Sequence, residues 1–108
     1  MTRISYWPEE FRLRAEGHAG AGERGEDLVC AAVTTLCCTL ACAAEEVPEY
    51  RLQMQEIPAL TALEFRCCPE EEKEASCREM FRTIAAGFAG LAEEYPAFVC
   101  MEERGEEA

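Results

Sequence analysis

Five prolines, at 8, 48, 58, 69 and 96, divide the 108-residue chain into the elements it can form. Proline lacks a backbone N–H and has a restricted φ, so none of them can sit inside a helix or a paired central strand. Before Pro8, the run Arg3–Trp7 puts Ile4 and Tyr6 on one face. After the turn Pro8-Glu9-Glu10, Phe11, Leu13 and Ala15 alternate with Arg12 and Arg14. A period of two is the mark of a half-buried strand, and two such strands across a short turn make an antiparallel hairpin. Tyr50–Ile57 and Ala62–Cys67, on either side of the Pro58 turn, repeat the pattern. Tyr50, Leu52 and Met54 share one face of the first, and Leu63, Phe65 and Cys67 one face of the second.

Two segments have the helical period instead. Leu28, Val29, Ala32, Val33, Leu36, Cys37, Leu40 and Ala44 give a broad apolar face, with Asp27 expected as N-cap and Val47-Pro48 as the stop. Cys77, Met80, Phe81, Ile84, Phe88 and Leu91 recur at steps of three and four in the second. Pro69 suits that helix's first position, Glu70, Glu71 and Glu72 favour its positive end, and Tyr95-Pro96 closes it. Ala97–Met101 has room for a last strand. The order β-β-α-β-β-α, with a final β, predicts an α+β two-layer sandwich: an antiparallel sheet with two helices packed on one face. One domain is expected over 1–101, with 102–108 as a flexible acidic tail.

Twenty-two acidic residues against ten basic ones give a net charge of −12. Phosphates must be met by Lys and Arg, so nucleic acid and anionic membranes are not expected as direct partners, whereas a basic protein is permitted. Leu28–Ala44 is interrupted by Thr34, Thr35 and Thr39 and reads as too mixed and short for a membrane span. Met1–Pro8 lacks the basic start and apolar run of a signal peptide, so a cytoplasmic location is expected. There the eight cysteines, at 30, 37, 38, 42, 67, 68, 77 and 100, stay thiols. They never form a tight Cys-x2-Cys pair, and Cys38 with Cys42 has no similarly spaced partner pair, so no metal or cofactor is expected. Most read as small core residues.

The chemistry concentrates in Gly17–Leu36. The only histidine, His18, ends the second strand, glycines follow at 20, 22 and 25, and Cys30 opens the first helix. Capped by Asp27, that helix would hold Cys30 at its third position, near unpaired N–H groups and the positive end of the dipole. Both favour the thiolate, the nucleophilic form. A strand–loop–helix path can fold His18 back beside Cys30, which is a cysteine–histidine dyad in outline. Spacing alone equally permits Cys30 as a small buried residue and His18 as a surface loop residue. The glycines could form a tight turn, but a phosphate loop would need a lysine that is not there.

Gly17-His18-Ala19 followed by Gly25-Glu26-Asp27-Leu28-Val29-Cys30-Ala31-Ala32-Val33 resembles the ribosomal-processing cysteine protease family, Prp. The resemblance implies Cys30 as nucleophile and His18 as its base and acid, with Gly17 and Asp27 on positions that shape the site. Thr34 stands where the family has serine, keeping the hydroxyl and adding a methyl. The loop has Ala21 and Gly22 where members often carry an aromatic residue. The resemblance further implies a substrate, the short N-terminal extension of the bacterial large-subunit ribosomal protein numbered twenty-seven, cut after a hydrophobic, phenylalanine-containing motif. It also implies a homodimer, which suits a sheet face with no helices over it. The other seven cysteines have no role in this scheme. Two rival readings are a noncatalytic ribosome-associated binding module of the same fold, and a thiol redox or metal protein using Cys37, Cys38 and Cys42.

Overall fold

The computed structural model describes residues 1–17 and 24–105, and of 24–27 the backbone only. Its elements are β1 (Thr2–Trp7), β2 (Arg12–Glu16), α1 (Arg24–Glu45), β3 (Gln53–Ile57), β4 (Ala62–Arg66), α2 (Glu74–Glu94) and β5 (Val99–Glu103). The strands form one sheet in the order β3-β4-β2-β1-β5. It is an α+β sandwich, with a mostly antiparallel sheet and the two helices packed together over it.

One pair departs from the expected antiparallel sheet. β1 with β2, β2 with β4 and β3 with β4 are antiparallel, whereas β5 lies parallel to β1. The helical connections explain it. A strand that follows a crossover helix re-enters the sheet in the direction of the strand before that helix. β5 therefore runs with β4, and β1 runs with β4 as well. The final strand also extends beyond Met101 to Glu103, and the Arg104 N–H donates to the Tyr6 carbonyl at 2.7 Å. The expected tail is thus shortened from its front; residues 106–108 lie outside the described residues.

Prolines shift the other boundaries. Pro8, Pro48 and Pro58 each start a 3-10 turn that ends on a left-handed residue, at Phe11, Arg51 and Thr61. β2 and β3 consequently begin at Arg12 and Gln53 rather than at Phe11 and Tyr50. Pro69 does not enter α2. The Cys68 N–H donates to the Tyr50 carbonyl at 3.0 Å and the Glu70 N–H to the Glu49 carbonyl at 3.1 Å. Those bonds hold the chain against the preceding turn, and α2 starts at Glu74 after a 3-10 turn at Glu71–Lys73.

The core lies between sheet and helices. Ile4, Leu13 and Phe65 meet Val29 and Leu40 of α1 and Cys77, Phe81 and Phe88 of α2, all essentially excluded from solvent. Each buried phenylalanine contributes up to about 3 kcal/mol by area removed from water. The helices approach closely where α2 carries Gly87, since a Cβ there would lie 2.8 Å from Leu36 Cδ2. Leu28–Glu45 is by length and composition long and apolar enough to cross a membrane. In this fold 22% of that stretch is buried, with Val29, Cys37, Leu40 and Ala44 in the shared core.

The opposite face of the sheet is not the open surface expected of it. Trp7 is only 3% exposed there, because the Arg12 guanidinium stacks 3.8 Å from its ring centroid, with Arg104 at 5.5 Å and Arg14 at 5.8 Å. Arg12 Nε and Arg14 Nε each donate to Glu64 Oε1 at 3.0 Å, and Arg66 donates to Glu10 at 3.0 Å. The sheet clads this face itself, with an ionic layer over one aromatic ring.

Candidate active site

β2 delivers the first site residue. Gly17 has φ +83°, and its N–H donates to the Thr61 carbonyl at 2.9 Å. A Cβ at this position would lie 2.7 Å from the Met1 carbonyl oxygen. Glycine is therefore required twice, by the left-handed backbone and by the close approach of the N-terminal strand. Gly17→Ala should cost about 2 kcal/mol and lower Tm by roughly 8–16 °C. An unchanged Tm in thermal unfolding would show that neither constraint operates.

His18 and the loop to residue 23 lie outside the described residues, as does the Asp27 side chain, so the expected dyad is neither assembled nor excluded by the geometry. α1, however, begins at Arg24, a turn earlier than expected. Asp27 is the fourth helical residue and not the N-cap, and Cys30 is the seventh and not the third. The consequence is electrostatic. Only the first four N–H groups of a helix lack intrahelical partners, and the dipole's influence fades within the first turn. The helix end alone is therefore a weaker source of thiolate stabilisation than the expected register would provide.

Cys30 is half-buried and packs on the core with Ala15 and Val33. Thr34, one turn further, is exposed. Two clefts lie on the sheet, and only the narrower is lined by α1. One of about 400 Å³ is lined by Ala15, Gly17, Glu56, Thr61 and Leu63, and so opens where β2 leads into the His18 loop. A narrower one of about 200 Å³ is lined by Val33, Thr34 and Cys37 of α1 with Met54, Leu63 and Phe65 of the sheet. Leu63 is common to both. Alternation in the sequence shows that Leu63 and Phe65 share a face, but nothing in it says which helix covers them, so these cleft residues were not foreseeable as site residues.

The remaining thiols divide by burial. Cys38, Cys42 and Cys68 are exposed, Cys37, Cys67 and Cys77 are buried, and Cys100 is half-buried. Cys67 and Cys77 hydrogen-bond to each other, and that bond together with burial keeps the Cys67 thiol protonated. Burial also pushes the Cys37 thiol up to about 11, so the cleft wall it forms is uncharged at neutral pH. Unfolded Cys37 would ionise near 9.0 and folded Cys37 near 11, so its contribution is fully present below 9.0 and is lost as pH rises to about 11. Chemical denaturation at pH 8 and pH 10.5 should show wild type losing up to about 2 kcal/mol more than Cys37→Val. Equal losses would remove Cys37 as the cause. Among the described residues, no three of His, Cys, Asp and Glu cluster as metal ligands.

A family model described as cysteine protease Prp matches residues 8–100, a span that takes in Gly17, His18, Asp27, Cys30 and Thr34. Comparison with curated proteins gives no match. Among solved structures, the chain is similar to an essential ribosomal processing protease Prp from S. aureus in complex with a covalently linked product peptide. The TM-score is 0.78 at 18% identity, covering 96% of this chain and 100% of that one. The S. aureus protease with a substrate peptide gives 0.74 at 17%, covering 95% and 97%. SMU.848 from Streptococcus mutans gives 0.71 at 27%, covering 97% and 93%. The fold is shared along nearly the whole chain.

Proposed function

Because the chain belongs to the Prp family of cysteine proteases, we propose that it removes the short N-terminal extension of the bacterial large-subunit ribosomal protein numbered twenty-seven, cutting after a hydrophobic, phenylalanine-containing motif. The observation that carries this reading is the setting of Cys30. It is half-exposed on the helix that follows the His18 loop, one turn before Val33 and Thr34 of the narrower cleft, whereas Cys37, Cys67 and Cys77 are buried in the core.

In the proposed reaction His18 holds the Cys30 thiolate as an ion pair, and the sulfur attacks the scissile carbonyl carbon. Side chains on a helix lean toward its N-terminus, so Cys30 leans toward the turn that contains residues 26 and 27. Oxyanion donors are drawn from the unpaired N–H groups of residues 24–26 and from the loop, each worth about 3–4 kcal/mol in other hydrolases. His18 protonates the leaving amine, and water then releases the acyl-enzyme. With capping removed as its role, Asp27 is left to orient His18.

Charge supports a basic substrate. Five of the ten basic residues, Arg3, Arg12, Arg14, Arg66 and Arg104, lie on the outer sheet face, alternating with the residues that face the helices. The acidic surplus is left to the helices and their approaches, above all Glu70, Glu71, Glu72 and Glu74. Such a field speeds encounter with a cationic protein. The protein acts in the cytoplasm as a homodimer without metal or cofactor.

Intact mass after incubation with the extended ribosomal protein tests the proposal, with wild type, Cys30→Ala and His18→Ala compared. One discrete cut, made by wild type alone, is expected. If folded, reduced wild type binds the protein but leaves it whole, the noncatalytic module takes its place.

A further inference from the structure

Cys67 and Cys77 take no part in the proposed protease chemistry, yet the fold brings them together. β4 ends at Arg66, so Cys67 is the residue that leaves the strand, and its N–H donates to the Phe11 carbonyl at 2.9 Å. Cys77 lies in the first turn of α2, which begins at Glu74. Both are buried, and the Cys67 thiol donates a hydrogen bond to the Cys77 sulfur. Thiols that share a hydrogen bond face each other, which is the condition a disulfide imposes on its side chains.

Tyr50 holds this contact from both sides. Its carbonyl accepts the Cys68 N–H at 3.0 Å, and its hydroxyl donates to Ser76 Oγ at 2.8 Å. The residue next to each thiol is thus fixed to one buried tyrosine.

The pair is also reached from outside. A cleft of about 500 Å³ is lined by Phe11, Arg66, Cys67, Cys68 and Glu74. Glu74 and Cys77 lie three residues apart on one face of α2, so the cleft opens over the thiols. The hydrogen bond from Cys67, and then the charge of Arg78, pull the Cys77 thiol below its ordinary value. Thiolate is the form that attacks a peroxide.

We propose that Cys67 and Cys77 form a reversible dithiol–disulfide couple that reduces a small peroxide and staples the end of β4 to the start of α2. The Cys77 thiolate attacks one oxygen of hydrogen peroxide, the O–O bond breaks, and hydroxide leaves, taking up the released thiol proton as water. Cys67 then attacks the sulfenic sulfur. Its proton leaves with the sulfenic hydroxyl as a second water, and the S–S bond forms. A small thiol reverses the step by exchange and is itself oxidised to its disulfide. β2 runs from Arg12, beside this end of β4, to Glu16 and Gly17 at the other. The staple is therefore remote from the candidate active site, and the inference does not depend on the protease reading.

Trypsin can separate the two cysteines, because Lys73 lies between them and Arg66 and Arg78 lie outside. Folded, reduced protein is treated with a small excess of hydrogen peroxide, alkylated and digested. The expected product joins peptides 67–73 and 74–78 and is lighter by two hydrogens than their sum. Cys68 shares the first peptide, so Cys68→Ser is run alongside. Cys68 is exposed, so that variant should fold, and the link should persist in it. Closing so short a loop should raise Tm by roughly 8–16 °C, and dithiothreitol should return it. Cys77→Ala, whatever its starting Tm, should show no rise.

A link that is lost in Cys68→Ser belongs to Cys68 and overturns the pair. Peptides that stay separate after oxidation overturn it too, as does a link that forms only in urea. A link without a rise in Tm overturns the staple.

Discussion

Cys30→Ala is expected to abolish cutting, with kcat/KM falling by about 10⁴-fold or more, the scale seen when a covalent nucleophile is removed. His18→Ala should cost roughly 10²- to 10⁴-fold, because the thiolate keeps part of its reactivity without its base. The two losses should not add, since both residues act in one step. Stability separates this from general damage. Cys30 is half-buried, and alanine fits an interior helical position, so Tm should move by only a few degrees. Asp27→Asn sharpens the assignment. As the fourth residue of α1 it is not a cap, and losing it should therefore lower kcat without the loss of about 1 kcal/mol that a missing cap produces. Single-turnover rates, with unfolding curves on the same samples, would show this. Full activity in Cys30→Ala would end the protease assignment to this residue, and a lowered Tm with unchanged kcat in Asp27→Asn would return Asp27 to a structural role.

The second large effect lies on the other side of the sheet. Glu64→Ala should destabilise the fold by about 3 kcal/mol and lower Tm by roughly 12–24 °C. Glu64 Oε1 receives Arg12 Nη2 at 3.0 Å and Arg14 Nη2 at 2.9 Å as well as both Nε groups. Their side chains are only 11% exposed for Glu64, 12% for Arg12 and 23% for Arg14. Removing the carboxylate leaves two guanidiniums crowded together over Trp7 with reduced access to water. That is the costly way to break such a cluster, and it differs from the loss of an exposed pair such as Arg51–Glu70, which should be worth under about 1 kcal/mol. Glu64→Gln, which keeps an acceptor but loses the charge, should fall between. Denaturation curves showing Glu64→Ala no worse than Arg51→Ala would mean that water satisfies the arginines after all.

Elements set by near neighbours were legible. The β1–β2 and β3–β4 hairpins follow from alternation across a proline turn, and both helices follow from apolar steps of three and four. The β-β-α-β-β-α-β order and the two-layer architecture then follow, because an amphipathic helix and a one-faced sheet have few ways to bury each other. The motif around His18 and Cys30 was legible for a different reason: it resembles a family pattern, whereas its spacing alone equally permitted structural roles for both residues. Gly17 belongs with it, and its φ of +83° and the Met1 carbonyl 2.7 Å from its would-be Cβ supply the physical need for glycine.

What depends on partners distant in the chain was hidden. The parallel pairing of β5 with β1 is a property of two crossovers, not of residues 99–103. Pro69 looks like a helix start until the Tyr50 and Glu49 carbonyls claim the N–H groups around it. Glu64 reads as a solvent-facing strand residue, and only the register against Arg12 and Arg14 buries it. Cys37 reads as core, yet packing also makes it the wall of a groove whose floor comes from β4 and whose lip comes from β3. The sequence by itself determined the secondary-structure order, which is written in local periodicity, and its resemblance to Prp singled out His18 and Cys30 as the candidate pair. Only the tertiary structure decided which face is open, which thiols are buried and where the clefts lie, because burial is a property of surfaces brought together from opposite ends of the chain.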